Sequence, residues 1–420
     1  MAAYKAPKGT RDVLPEQSYQ WQFLEARIRE IVKKYGFLEA RTPVIEHTEL
    51  FLRGVGETTD IVQKEMYTFL DKGERSITLK PEGTAGVVRM FVENSLFAET
   101  QPTKMYYLYN PVFRYERPQA GRLREHHQFG VEFFGSSKPS ADAECICVAT
   151  ELLGSLGCDG LTVRLNSIGC PKCRPQYHEA LKGYLREHYD ELCDTCKVRM
   201  EQNPLRVLDC KVESCQKIAN NAPIIGDYLC DECRDHQSTL LTLLNGMGLN
   251  YLIDPRLVRG LDYYTKTVFE ITSESIGSQS AVCGGGRYDG LVEEIGGPHT
   301  PGVGFGLGME RLLLVLENTG MVIEKPVRYD LYIASMGQEA EMRAFLLANE
   351  LRKAGVRVEI DHMGRSVKAQ LKYADKVGAR YVLVLGQDEL EKGEAKLKRM
   401  SDGTETITAL NADQIQKFII

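Results

Sequence analysis

No run of apolar residues in this 420-residue chain is long enough to cross a bilayer, which argues against a helical membrane protein and a membrane partner. The opening stretch, MAAYKAPKGTRDVLPEQ, is polar and lacks the apolar core of a signal peptide, so a cytoplasmic location is the expectation. Excess positive charge is also missing. A net charge of −6 argues against a wholesale basic coat for nucleic acid, although a local basic groove depends on where the charge lies rather than on its sum. There is no internal repeat and no low-complexity tract. What remains is the composition of a soluble globular protein, on a chain too long for one ordinary core, so two or three domains are expected.

Cysteine, by contrast, is plentiful and clustered. Eight of the twelve fall between Cys170 and Cys233: Cys170 with Cys173 (CPKC), Cys193 with Cys196 (CDTC), Cys210 with Cys215, and Cys230 with Cys233 (CDEC). Without a secretion signal, such pairing favours zinc over disulfides. Two four-sulfur structural sites would use all eight thiolates and lend folding energy to the polar segment around them. The alternative is reduced, partly buried cysteines with no metal, and order alone does not say which pairs would share an ion.

Periodicity organises the rest. Apolar positions at helical spacing over 17–35 include Trp21, Leu24, Ile28, Ile31 and Val32, and Gly36 ends that helix. GFLEARTPVIEHTELF reads as a short strand broken by Pro43, then a helix. Residues 62–80 read as a hairpin, followed by a strand end turning into a helix in LKPEGTAGVVRMFVEN. KMYYLYNPVFRYE and HHQFGVEFFG read as two strands joined by a charged loop. A helix near 141–155 precedes the Cys-rich interruption at 168–250. Strands return at 264–272 and 279–283, and a strand-to-helix passage occupies 302–317. After a linker at 317–328, strands and helices alternate as in a small α/β domain, whereas the body before it reads as α+β with an antiparallel sheet.

Five segments carry groups suited to binding a charged small molecule. RGLDYYTKTVFE places Arg259, Asp262, Tyr263 and Tyr264 just before a strand; a guanidinium can hold two phosphate oxygens, and a phenol can donate or accept. In FRYERPQAGRLREHHQFGVEFFG, Arg114 lies on the incoming strand and Arg117, Arg122 and Arg124 in the loop. Gln128, Gly130 and Glu132 then share one face of the returning strand. GVGFGLGMERLLLVL has glycines at 302, 304, 306 and 308, leaving a bare face for a flat ligand, with Arg311 at the ligand end of the following helix. It is not a dinucleotide fingerprint. LKPEGTAG offers Glu82 and Thr84 to a primary ammonium group. CGGGRYDGL, with Arg287 and Tyr288, would alone pass for a turn. Each segment has a plainer reading as a packed strand, a capping turn or a salt-bridged surface; their occurrence together weighs against it.

In order and spacing these segments resemble the class II aminoacyl-tRNA synthetases, and within them the histidyl-tRNA synthetases, over essentially the whole chain. GFLEARTPVIEHTELF resembles the first class motif, associated with a dimer interface; FRYERPQ through VEFFG resembles the second; GVGFGLGMERL resembles the third. RGLDYYT and GGGRYDGL resemble the strings of the histidine branch. The full cysteine set of the insertion departs from many relatives.

The resemblance implies a class II antiparallel-sheet catalytic domain over 1–325 and a C-terminal α/β anticodon-binding domain over 328–420. It implies histidine activation with ATP and magnesium, transfer to the 3′ end of the tRNA for histidine, and a homodimer. Arg114 would hold the α-phosphate, Arg259 would act on its opposite side in catalysis, and Arg311 would reach the γ-phosphate. Glu82, Thr84 and Gln128 would hold the α-ammonium; Glu132 and Tyr264 would read the imidazole, with Tyr263 and Tyr288 nearby. Asp262 is given no role. Arg352, Lys353, Arg357, Arg365, Lys368 and Lys372 are candidates for tRNA phosphates, or for a solvated face. Three rival readings stand beside it: a catalytically silent relative that regulates histidine biosynthesis, which lacks the histidine strings and the anticodon domain; a zinc-dependent nucleic-acid module, which leaves the pocket motifs unused; and an ATP-dependent synthetase for another amino acid.

Overall fold

A computed structural model describes residues 4–57, 59–118, 123–273 and 281–419; Arg122 and the first two residues of the strand expected at 279–283 lie outside them. The chain divides into two compact units, Met1–Ile323 and Glu324–Ile420. No helix of the described residues is long and apolar enough to cross a membrane.

The first unit contains strands β1 (Leu38–Glu39), β2 (Ile45–His47), β3 (Tyr67–Leu70), β4 (Ser76–Leu79), β5 (Thr103–Phe113), β6 (Glu125–Phe134), β7 (Thr162–Ser167), β8 (Tyr251–Ile253), β9 (Thr265–Thr272), β10 (Ala281–Arg287) and β11 (Gly302–Gly308). Eight form one sheet in the order β1-β5-β6-β11-β10-β9-β7-β8. It is antiparallel except at its two margins, where β1 runs parallel to β5 and β8 to β7. β2, β4 and β3 make a separate small sheet. The helix Ser18–Lys34 carries Trp21, Leu24, Ile28, Ile31 and Val32 on one buried stripe, and they pack with the helix Pro139–Ser155 over the large sheet.

Two local expectations change. Residues 61–65 form a π-helical turn, so the first hairpin strand starts only at Tyr67. The CGGGR string is not a turn but the second part of β10, through its last residue, because its glycines let neighbouring strands and side chains come close on both faces.

The cysteine-rich insertion is a helical excursion between the neighbouring parallel strands β7 and β8. Its helices are Arg174–Glu187, Asp194–Gln202, Glu213–Asn220 and Asp231–Gly246. All eight cysteines pack in its own small core with Tyr177, Leu181, Leu185 and Met200. The last of these helices also reaches the main core through Leu240 and Leu244.

The second unit has strands β12 (Leu331–Ser335), β13 (Val358–Ile360), β14 (Tyr381–Leu385), β15 (Glu394–Arg399) and β16 (Glu405–Ala409), ordered β13-β12-β14-β15-β16. The first three are parallel, as the alternating pattern predicts, and an antiparallel pair extends the sheet. Three of the candidate phosphate-binding arginines are engaged within this unit. Arg357 pairs with Asp330 at 2.7 Å, Arg365 with Asp361 at 2.7 Å, and Arg352 donates to the Val358 carbonyl. Lys353, Lys368 and Lys372 are exposed.

Candidate active site

Two strands poor in side chains make the floor of the site. In the register of β10 and β11, Gly284 pairs with Gly306 and Gly286 with Gly304. Groups from other elements occupy the space the absent Cβ atoms leave. A Cβ on Gly284 would collide with the Arg259 guanidinium, on Gly302 with the Tyr288 ring, and on Gly304 with Glu132 Oε2. A face of β11 bare along its whole length is therefore a mistaken expectation. Gly302 and Gly304 are covered by Tyr288 and Glu132, because Gly304 lies directly opposite Glu132 on β6. Only the Gly306–Gly308 end stays open.

The covered end is a buried polar pocket. Glu132 is wholly buried and accepts a hydrogen bond from the Tyr288 hydroxyl at Oε2. Its Oε1, and the Oε1 of Gln128, are buried without a hydrogen-bond partner among the described residues, an arrangement suited to a ligand that brings N–H groups. Burial pushes the Glu132 carboxyl up to about 8, against the pull of Tyr288. Glu82 accepts the N–H groups of Thr84 at 2.8 Å and Ala85 at 2.6 Å, at the start of the helix Thr84–Glu93. Burial nevertheless raises its carboxyl above the usual range, with these bonds and Arg114 opposing. The Tyr263 ring sits 4.7 Å from Tyr264 and 5.7 Å from Tyr288 between centroids. Burial lifts the Tyr264 phenol to about 12, so it is a neutral hydrogen-bonding group at physiological pH. Glu82, Thr84, Glu132, Tyr263, Tyr264 and Tyr288 are all buried, and Gln128 is half-buried beside them. Sequence reasoning missed Tyr107, whose ring fills the space over Gly83 and Gly130; the apolar run KMYYLYNPVF marks it only as a core residue.

The open end is a cleft of about 360 Å³ lined by Arg114, Arg259, Arg311, Glu116, His126 and Glu270. A larger groove of about 660 Å³ near Leu38 and Met105 lacks this convergence of charge. Three different elements aim guanidinium groups into the cleft. Arg114 follows β5 and donates to the Pro81 carbonyl at 2.7 Å. Arg259 precedes β9 and ion-pairs with Glu270. Arg311 opens the helix after β11 and donates to the Ala281 carbonyl at 2.6 Å. Burial opposes the charge on Arg259, but the Glu270 carboxylate outweighs it and keeps the guanidinium ionised. Burial, with Arg114 adding to it, pushes the His126 imidazole down to about 4, so it stays neutral in this cationic cleft. Glu270 and His126 were not singled out from sequence. Glu270's one signal is a carboxylate in the apolar strand TKTVFEIT.

In the insertion the eight cysteines separate into two groups. Cys170, Cys173, Cys230 and Cys233 form one, Cys193, Cys196, Cys210 and Cys215 the other, and within each group the sulfurs lie within 4.8 Å of one another. Sulfur separations are 3.7 Å for Cys170–Cys173 and 3.9 Å for Cys170–Cys230 and Cys193–Cys210, far beyond the ~2.05 Å of a disulfide bond. Burial opposes ionisation of Cys170, but N–H groups of Lys172 and Cys173 outweigh it and bring the thiol to about 7.

A family model described as histidyl-tRNA synthetase matches residues 9–312, and one described as an anticodon binding domain matches 330–419. The chain is 61% identical over 415 residues to a histidine–tRNA ligase of Caldanaerobacter subterraneus subsp. tengcongensis, covering 99% of each chain. It is 56% identical over 418 residues to one of Clostridium perfringens, covering 99% of this chain and 100% of the relative. A crystal structure of the apo histidyl-tRNA synthetase of S. aureus superposes with a TM-score of 0.85 at 38% identity, covering 99% of this chain and 100% of that one. Likeness of this extent, end to end and in both sequence and sheet, shows that the chain belongs to the histidyl-tRNA synthetase family.

Proposed function

We propose that this chain is an ATP-dependent histidine–tRNA ligase, which activates histidine as its adenylate with release of pyrophosphate and then transfers it to the 3′ end of its tRNA. The observation that carries the reading is the pocket around Glu132 opening beside a cleft of three arginines. Imidazole has two nitrogens, and Glu132 Oε1 and the Tyr264 hydroxyl offer one partner to each. An amino acid lacking those nitrogens would leave Glu132 Oε1 buried and unpaired, which disfavours it strongly. Glu82, Thr84 and Gln128 take the α-ammonium. The histidine carboxylate then faces the α-phosphorus, with Arg114 and Arg259 on opposite sides and Arg311 toward the γ-phosphate. Fixed cations aimed at developing phosphate charge, together with alignment of the two reactants, lower the barrier. Magnesium, when bound, neutralises the polyphosphate, and Glu116 and Glu270 supply carboxylate oxygens of the kind it takes.

In the same reading residues 1–325 form the catalytic domain and 328–420 the anticodon-binding domain of a cytoplasmic homodimer. The exposed Leu38, Val44 and Ile45, flanking Pro43, are an apolar surface of the sort a second copy covers. The two cysteine groups hold structural zinc. A tetrahedron with Zn–S bonds of about 2.3 Å has sulfurs about 3.8 Å apart, and the Cys170–Cys173, Cys170–Cys230 and Cys193–Cys210 pairs have that spacing. The deciding experiment is ATP–pyrophosphate exchange across the standard amino acids, followed by tRNA charging. Histidine-only exchange is expected; exchange with a different amino acid, or with none, would overturn the reading.

A further inference from the structure

The segment Arg259–Lys266 carries three of the proposed active-site groups, and its long-range polar ties run mainly to the insertion. On one side Arg206 donates to the Gly260 carbonyl at 2.6 Å and to Asp262 Oδ1 at 3.1 Å, and Asn203 donates to the same oxygen at 3.0 Å. Both residues lie in the stretch between Cys196 and Cys210. On the other side Arg174, next to Cys173, donates to the Tyr264 carbonyl. Lys266 exchanges backbone hydrogen bonds with Ile168 and Gly169 at 2.7 and 2.9 Å, just ahead of Cys170. Its ammonium pairs at 2.9 Å with Glu232, which stands between Cys230 and Cys233. Lys266 itself has φ +50°, a backbone state that a side-chain-bearing residue keeps only where its surroundings impose it. Gly169, at φ +67°, could not carry a side chain, since its Cβ would come within 2.8 Å of Cys173 Cβ.

Each cysteine group is therefore wired to one end of this segment: the 193/196/210/215 group to Gly260 and Asp262, the 170/173/230/233 group to Tyr264 and Lys266. We propose that metal bound at these two four-thiolate groups holds Arg259–Lys266 in its working shape, so that the metal sets histidine activation even before tRNA is present. This rests on the zinc reading above. The helices Asp194–Gln202 and Glu213–Asn220 are short and pack on a core rich in thiols, and metal binding supplies folding energy there. Without the metal, Arg174, Asn203, Arg206 and Glu232 lose their fixed positions. Glu132 and Glu82 stand on β6 and before the helix Thr84–Glu93, outside the insertion, and keep theirs. Asp262 is on this account a positioning residue.

The test begins with metal content by mass spectrometry of the purified protein; two zinc ions per chain are expected from the two groups. No bound zinc, and no thiolate–cobalt absorption after cobalt is supplied, would end the zinc reading and this proposal with it. With metal present, Cys210→Ser should lower zinc to one per chain. It should also raise the half-saturation for histidine in tRNA-free pyrophosphate exchange by at least about ten-fold, since small misplacements of reacting groups carry penalties of that order. Amides of residues 259–266 should exchange hydrogen faster. Asp262→Asn covers the event that the cysteine variant fails to fold: it should keep both zinc ions and raise the half-saturation in the same direction. Zinc reading intact but half-saturation within two-fold in either variant, with unchanged amide exchange, would overturn the proposal.

Discussion

At Arg259 the physical problem is to keep a full positive charge in a place that burial would empty of charge. Glu270 solves it by sitting across the sheet from Gly284, over which the guanidinium lies. Arg259→Ala should cut histidine-dependent pyrophosphate exchange by roughly 10²–10³-fold or more, the range for loss of one charge-stabilising group, in a protein that still folds but melts somewhat lower because Glu270 loses its partner. Near-normal exchange would remove Arg259 from the mechanism. Glu132 poses the opposite problem, a carboxyl raised by burial to about 8. The folded chain binds a proton there that the unfolded chain releases near pH 4.5, so this group makes stability fall as pH rises from about 4.5 to 8. Glu132→Gln removes that dependence. It should raise the melting temperature of the ligand-free protein above pH 8 relative to the parent, while raising the half-saturation for histidine. A histidine half-saturation unchanged from the parent would argue against imidazole readout by Glu132. Motif reading picked out these two residues, but not Glu270 or Tyr107, whose role comes from what lies across the sheet from them.

The paired glycine strands set the geometry at the scale of elements. β11 borders both the buried pocket and the open cleft with one repeating pattern, because the strand opposite places Glu132 across from Gly304 and the half-buried Gln128 across from Gly308. Gly304→Ala should collide with Glu132 and the Val131 carbonyl. Overpacking of this kind costs about 1–3 kcal/mol, and the displaced carboxyl should raise the half-saturation for histidine. Gly306→Ala meets nothing nearer than 3.7 Å and should fold normally. Gly306 also lines the open cleft, so its effect is expected on the ATP half-saturation as well as on Gln128, which the methyl would approach to 3.7 Å. Melting temperatures and the two half-saturations of both variants separate these effects, and a Gly304→Ala protein as stable as the parent would show the packing argument to be wrong. The alternation of glycines was visible along the chain, but which of them another side chain covers depends on register, a property of two strands together.

For the molecule as a whole, each compact unit has its own apolar core, one built on the large sheet and one on β12–β14. A chain ending at residue 323 should therefore fold and retain histidine-dependent pyrophosphate exchange, because every proposed activation residue lies within it, while losing most tRNA charging. Full charging by that truncated chain would detach the second unit from tRNA recognition. The motif strings, the amphipathic first helix, the α+β body and the α/β end were legible because each is written locally, in periodicity or in residues a few positions apart. The hairpin β15–β16 is not marked in the sequence reading, and the π-helical turn at Ile61–Glu65 stands where the hairpin is expected to begin, since neither interrupts a local pattern strongly.

By itself the sequence determined which residues are available for chemistry and that eight cysteines come in four pairs. Only the tertiary structure decided how they combine. The four pairs sort into two groups because segments distant in the chain, Cys170 with Cys230 across 60 positions and Cys193 with Cys210 across 17, meet in one small core. Asp262, without a role on the page of letters, gains one because Asn203 and Arg206 reach it across 59 and 56 positions. Hydrogen bonds and ion pairs act over a few ångströms, and a chain can bring residues that close from any separation. Distance in sequence therefore carries little information about which charges face each other.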